Sequence, residues 1–388
     1  MTGFLLAKKN HKINNKINKI FIARKIMRKN IFIFLLIVVY SFPVLAAEDG
    51  SLLSLFAGTE AEKTFEDAAQ EEENGGFFSF LNFKKQEVKK AEINVADKER
   101  LTPLEQTIKL ADNGDVNSQL LLGYSYLYGE NGAGVNYDKS FEYYAKAALQ
   151  NNPIGLNNLG SLYYSGIGIK RNSLKAAILF EKSANLGNAD AAVNLGFILI
   201  SGNGHTINPK LAMDYFEMAA KANNPIAQYM LGYAHYKGKL RAKDYKRAAK
   251  LFKNAADAGI DGAQFMTAQM YMNGIGVPQN YGNAVKYLKQ SVAQGNGQSM
   301  MLLGEILAKG DKYKKDAYYA HVLFNLAAVR DMRGASEQRA SVESKLKMEE
   351  LLMAQTEAEK YEARPTNSTQ YIQNTFGYDI TSYIDNTK

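Results

Sequence analysis

Six glycines close the same phrase at nearly constant spacing: Gly129, Gly166, Gly202, Gly238, Gly274 and Gly310 stand 37, 36, 36, 36 and 36 residues apart. An alanine column keeps the beat 18 or 19 residues further on, at Ala148, Ala184, Ala220, Ala256 and Ala328, with Val292 in place of one member. Two independent columns in one register exclude coincidence. Such a period marks stacked supersecondary units, none of which can bury its apolar face alone, so function is expected on an extended surface.

Each unit reads as two helices. In helix A a small residue (Ser118, Gly155, Ala191, Ala227, Ala263, Ser299) precedes a first glycine column, Gly123, Gly160, Gly196, Gly232, Ala268 and Gly304. A position without a large side chain lets a paired helix approach closely. Three residues on, Tyr126, Tyr163, Leu199, His235, Tyr271 and Leu307 continue one packing stripe. The second glycine column then stops helix A in a left-handed turn. Some turns carry a second glycine, as at Gly166/Gly168, Gly202/Gly204 and Gly274/Gly276, whereas Leu240 and Lys312 replace it elsewhere. Helix B pairs a small residue with a large apolar one four positions later, as in Ala176 and Phe180 or Ala248 and Phe252.

Phrases such as LGSLYYSGIGIKRNSLKAAILFEKSANLGN at 159–188 and AQYMLGYAHYKG at 227–238 resemble Sel1-like repeats, relatives of the tetratricopeptide repeat. The resemblance covers residues 104–330 and implies an all-α fold, a right-handed α/α superhelical solenoid of about six repeats with helix A lining the concave side. It also implies a non-enzymatic adaptor role in complexes, envelope processes or host–bacterium contact. Thr267 and Ala268 depart from the usual Leu-Gly of repeat five, and repeat one has one extra loop residue. A cysteine-rich branch of the family, linked to β-lactam binding, does not apply to a chain with no Cys.

The flanks differ in character. Residues 1–46 hold nine Lys/Arg and no acid, which leaves 38 basic against 39 acidic residues and places the formal charge of +8 in the leader. The rest lacks the clustered positive field that nucleic acid requires. Within the leader, Arg28 and Lys29 precede an apolar run from Ile31 to Tyr40, then Pro43 and Val44-Leu45-Ala46-Ala47. This is a signal-peptide pattern, too short for a spanning helix, with the true start expected at Met27 or a long cationic leader as the alternative. Export to the periplasm or outer envelope of a bacterium follows as the expectation. Zero cysteines exclude disulfides, thiolate catalysis, iron–sulfur clusters and a lipidated Cys. Residues 47–103 are acidic and expected to be largely disordered, with apolar boxes at Leu52–Phe56 and Phe77–Phe83. Phe77, Phe78, Phe80 and Phe83 are expected to dock on the first repeat as a cap or, alternatively, to contact a membrane periphery or partner. Residues 331–364 read as a helical cap or a short coiled coil forming a homodimer, and 365–388 as a mobile tail.

No chemistry stands out. His205, His235 and His321 occupy unlike positions in different repeats, so no metal site is expected. The Gly-x-Gly turns lack the strand and the Gly-Lys-Ser/Thr ending of phosphate loops. No nucleophile elbow or carboxylate pair appears. No cofactor and no catalysis are expected, which leaves the helix A face as the site. Carrying the tetratricopeptide pattern over position by position, the groove residues are those three before, one after and four after the first glycine column. They include Tyr164, Phe197, Ile200, Tyr229, Tyr233, Tyr236, Phe265 and Met272, an aromatic band suited to a protein or peptide from the envelope or a host. The alternative reading is a regulator of a cell-wall enzyme, or a glycan binder, using the same rings.

Overall fold

A computed structural model describes residues 101–387 apart from 203–205 and 378. The leader, the acidic region to residue 100 with its Phe77, Phe78, Phe80 and Phe83, and the loop residues Gly204 and His205 therefore lie outside the described residues. Among the described residues only helices form, with no strand. A leading helix α1 (Pro103–Asp112) precedes six pairs: α2 (Val116–Tyr128) and α3 (Tyr137–Leu149), α4 (Pro153–Ser165) and α5 (Ser173–Asn185), α6 (Ala189–Ser201) and α7 (Pro209–Lys221), α8 (Pro225–Lys237) and α9 (Tyr245–Asp257), α10 (Asp261–Asn273) and α11 (Tyr281–Ala293), α12 (Gly297–Lys309) and α13 (Ala317–Ala328). Beyond them come α14 (Ala335–Glu343), α15 (Met348–Glu359), α16 (Asn367–Thr375) and α17 (Ser382–Asp385). The fold class is all-α, with helix pairs following one another as a repeat solenoid requires. The described residues divide into two compact units, 101–215 and 216–387, with the division inside α7.

Each helix starts where the sequence offers an oxygen for its first free amides. The helix B caps Asn136, Asn172, Asp244, Asn280 and Asp316 all accept from the amide three residues on, and Asp115, Asn152, Asn188, Asn224 and Asn296 do so for helix A. Such a cap stabilises a helix by about 1 kcal/mol. One helix breaks the column: α10 begins at Ile260, which has no side-chain oxygen to offer. Helix A ends at the second glycine column, with φ between +64° and +73° at all six members. Leu240 also takes φ +64°, where Gly168 and Gly276 stand at +72°. A left-handed leucine costs roughly 1 kcal/mol, so repeat four carries strain beside Lys239.

In unit 101–215, a Cβ built on Gly123 would lie 2.6 Å from the Tyr144 ring, and one on Gly160 would lie 2.9 Å from Phe180. In unit 216–387 the same holds for Gly232 against Phe252 at 2.8 Å and Gly304 against Phe324 at 2.7 Å. The helix B rings are among the most deeply buried side chains. The first unit opens with α1, whose Thr102 and Glu105 bond to each other's backbone amides in a capping box. Side-chain amides also join the two helices of a repeat: Gln150 donates to Gln119 Oε1 at 2.9 Å, and Gln294 to Gln264 Oε1 at 2.9 Å.

The second unit ends in a cap. α14 and α15 pack on α13, burying Ala335, Val342 and Ala354. Arg339 donates to Asn325 at 2.8 Å and Tyr318 to Glu357 at 2.6 Å. Residues 331–364, read from sequence as a helical cap or a short coiled coil, thus form two short helices that lie against α13. Helices of 9 and 12 residues do not sustain the heptads of a coiled coil.

Two outcomes follow. Gly160→Val should cost about 2 kcal/mol in urea unfolding, because the Phe180 ring beneath it is buried and has nowhere to move. His321 is 1% exposed, and neither ring nitrogen has a hydrogen-bond partner among the described residues. Burial holds its pKa below the ordinary 6.5, opposed by Glu343 at 3.9 Å and reinforced by Arg339. As pH falls through 6.5 the unfolded chain takes the proton first, so this part of the stability is present above that pH and lost below it. Urea midpoints measured between pH 7.5 and 5 should fall more steeply for the native chain than for His321→Leu.

Candidate functional site

The expected groove residues do not share one environment. In unit 101–215, Tyr164 is half-buried, with the Arg171 guanidinium 5.3 Å from its ring centre. Phe197 and Ile200 are buried, at 3% and 5% exposure, so in this structure they are packed side chains and not open groove. The reason lies in α6 itself: every residue from Ala191 to Ile200 is buried, as expected of a helix apolar on all sides.

In unit 216–387 the band is a coherent surface. Tyr229, Tyr233, Tyr236 and Phe265 are half-buried and pack against a core of Ala248, Ala249, Phe252, Met266 and Met270. Tyr236 lies edge-on to Tyr245 at 5.8 Å and tilted to Phe252 at 6.2 Å. Met272 is half-buried at the end of α10. Burial, then Asp261 and Asp379, raises the Tyr229 hydroxyl well above its usual range. The Tyr229 phenol is therefore neutral at physiological pH.

That surface is not vacant. The segment from 365, expected to be mobile, forms α16 and α17 and lies along the helix A side of repeats four and five. Tyr233 donates to Asp385 Oδ2 at 2.7 Å, Lys237 Nζ stands 3.3 Å from Asp385 Oδ1, and Lys239 donates to the Asp385 carbonyl. Burial and the bond to Asp385 raise the Tyr233 pKa, while Tyr233 and then Asp385 raise that of Lys237. Upstream, Thr366 Oγ1 donates to the Gly259 carbonyl at 2.7 Å and the Thr366 amide to Gln294 Oε1 at 2.9 Å. Thr369 Oγ1 accepts from the Asp261 amide at 3.1 Å and donates to the Gly259 carbonyl at 3.1 Å. Ile372, Ile380 and Ile384 are buried at 5%, 1% and 0% exposure. The physical reason for order is this set of anchors, which composition conceals: Pro365-Thr366-x-x-Thr369 is a helix start, and Ile372, Ile380 and Ile384 are isolated apolar residues in a polar stretch.

Reading the sequence by repeat columns missed the tail's Thr366, Thr369 and Asp385, together with Lys237, Lys239 and Gln294. Of the histidines, His235 is buried with Nδ1 2.8 Å from the Ala242 carbonyl, an internal packing role. Among the described residues no group of three or more His, Asp or Glu could hold a metal ion. No described helix is long and apolar enough to cross a membrane.

The Sel1 repeat profile matches six consecutive stretches: 116–152, 153–188, 189–224, 225–260, 262–296 and 297–328. Among solved structures, a Sel1 repeat protein from Oxalobacter formigenes is 25% identical over 64% of this chain and 100% of its own, with a TM-score of 0.50. A protective antigen of uropathogenic Escherichia coli is 27% identical over 70% of this chain, which spans 66% of the antigen's length, with a TM-score of 0.49. No curated protein matches.

The charged end of the tail contact should be weak. Lys237 and Asp385 are each 41% exposed, and such pairs contribute about 0.2–1 kcal/mol. A double-mutant cycle of Lys237→Met and Asp385→Asn, read by thermal unfolding, should give a coupling in that range and shrink in 0.5 M salt. A larger, salt-insensitive coupling would place the pair in a dry environment.

Proposed function

The chain belongs to the Sel1 repeat family, whose members generally serve as protein-interaction scaffolds, and from that premise we propose that it is a non-catalytic scaffold holding a partner protein or peptide on its helix A faces. One observation carries the reading. Five aromatics, Tyr164, Tyr229, Tyr233, Tyr236 and Phe265, stand half-buried at helix A positions, where a folded core would bury them fully and a passive surface would carry polar residues. Tyrosine supplies large contact area at low entropy cost, together with a polar handle. The leader pattern at residues 28–47 supports export, which makes an envelope or host protein the fitting partner.

The test is photo-crosslinking in the native host, with a photoreactive residue in place of Tyr164 on α4 and, as control, of the exposed Lys182 on α5. A discrete protein adduct at position 164 and none at 182 is the expected result. Equal, diffuse labelling at both positions would refute a partner on the helix A face. Adducts to polysaccharide alone would transfer the site to a glycan.

A further inference from the structure

The tail meets repeat five where that repeat departs from its siblings. Five of the six helix A starts cap themselves with Asp or Asn. Ile260 cannot, and Thr369 of the tail supplies an oxygen to another free amide of the same helix start, that of Asp261. The turn before α10 is occupied in the same way: a Cβ on Gly259 would meet the Thr366 methyl at 2.8 Å, whereas one on the equivalent Gly187 would meet nothing within 4 Å. At the other end, the Asp385 carboxylate faces two donors, Tyr233 and Lys237, and its backbone carbonyl accepts from Lys239. Between these polar ends lie the buried Ile372, Ile380 and Ile384. Polar ends flanking aliphatic anchors, in two short helices laid on a tyrosine face, are the features by which a scaffold recognises a peptide.

The tail is also poorly suited to permanence. Its helices span 9 and 4 residues, below the length at which an isolated helix is stable, so their structure depends on docking. Because the chain tethers it beside the face, it competes at an effective concentration on the order of 1 mM, which screens the face from weak ligands but yields to a tighter one.

We propose that the helix A face of α8 and α10 is a peptide site held closed by this chain's own residues 365–387, and that its partner is a short segment of the same chemistry: a hydroxyl or carboxylate to cap α10, isoleucine-type anchors, and an acid for Tyr233 and Lys237 whose backbone carbonyl meets Lys239. This deepens the scaffold reading and rests on it. The partner gains the site by displacing the tail.

The test uses the full chain and a fluorescein-labelled synthetic peptide of residues 365–387, read by anisotropy. Binding to the native chain should be weak. Thr369→Val with Asp385→Lys, which loosens the tail without opening the core, should tighten it at least tenfold. Adding Tyr233→Phe with Lys237→Met to that variant, which removes both partners of the peptide's carboxylate, should lose at least threefold of that gain. Should the loosened variant lose helicity, Asp385→Lys alone makes the same comparison, since it alters only the exposed end of the tail. Unchanged peptide affinity in a folded, loosened variant overturns the proposal. A tail-dependent dimer on size exclusion overturns it too, assigning the face to a second copy. A partner adduct at position 164 alongside unchanged peptide affinity would leave the scaffold reading standing and refute this one alone.

Discussion

The pairing of a helix A glycine with a buried helix B ring is the constraint on which the remaining structure depends. With ideal Cβ positions 2.6–2.9 Å from ring carbons at Gly123, Gly160, Gly232 and Gly304, the two helices of a repeat are closer than any side chain on helix A would allow. That approach fixes which side of helix A is spent on packing. It leaves the residues three before, one after and four after the glycine at the rim of that contact: on α8, Tyr229 and Tyr236 still touch the Phe252 ring of α9 and keep part of each ring exposed, and so can form a recognition surface.

What those positions become depends on local composition. On α6 they are Val193, Phe197 and Ile200 in a helix apolar all round, and all three are buried. On α8 they are three tyrosines, half-buried with polar tips. Equal register therefore does not mean equal role. The tyrosine face is the one joined by the tail, through a phenol, two ammonium groups and a helix start without its own cap.

The repeat architecture was legible in the sequence because its causes are local and periodic. Glycine at helix ends, small residues beneath rings, and Asp or Asn at helix starts each act within a few residues, and a 36-residue beat repeats the signal. The helix A face was legible as a set of positions, although Phe197 and Ile200 needed their neighbours' hydropathy to be placed correctly. The tail was not legible, since it lies outside the period and its partners are more than a hundred residues away: Thr369 with Gly259 and Asp261, Asp385 with Tyr233. A break in a column was the available clue. Ile260 in a row of Asp and Asn marks the helix that takes its cap from elsewhere.

Native-state hydrogen exchange, resolved by residue, tests the central claim most directly, because a displaceable occupant must open without the repeats unfolding. The account predicts that amides of 367–375 exchange at least a hundredfold faster than the central amides of α8 and α10. Tail amides as protected as those of α8 would make residues 365–387 a permanent part of the core, and would contradict it.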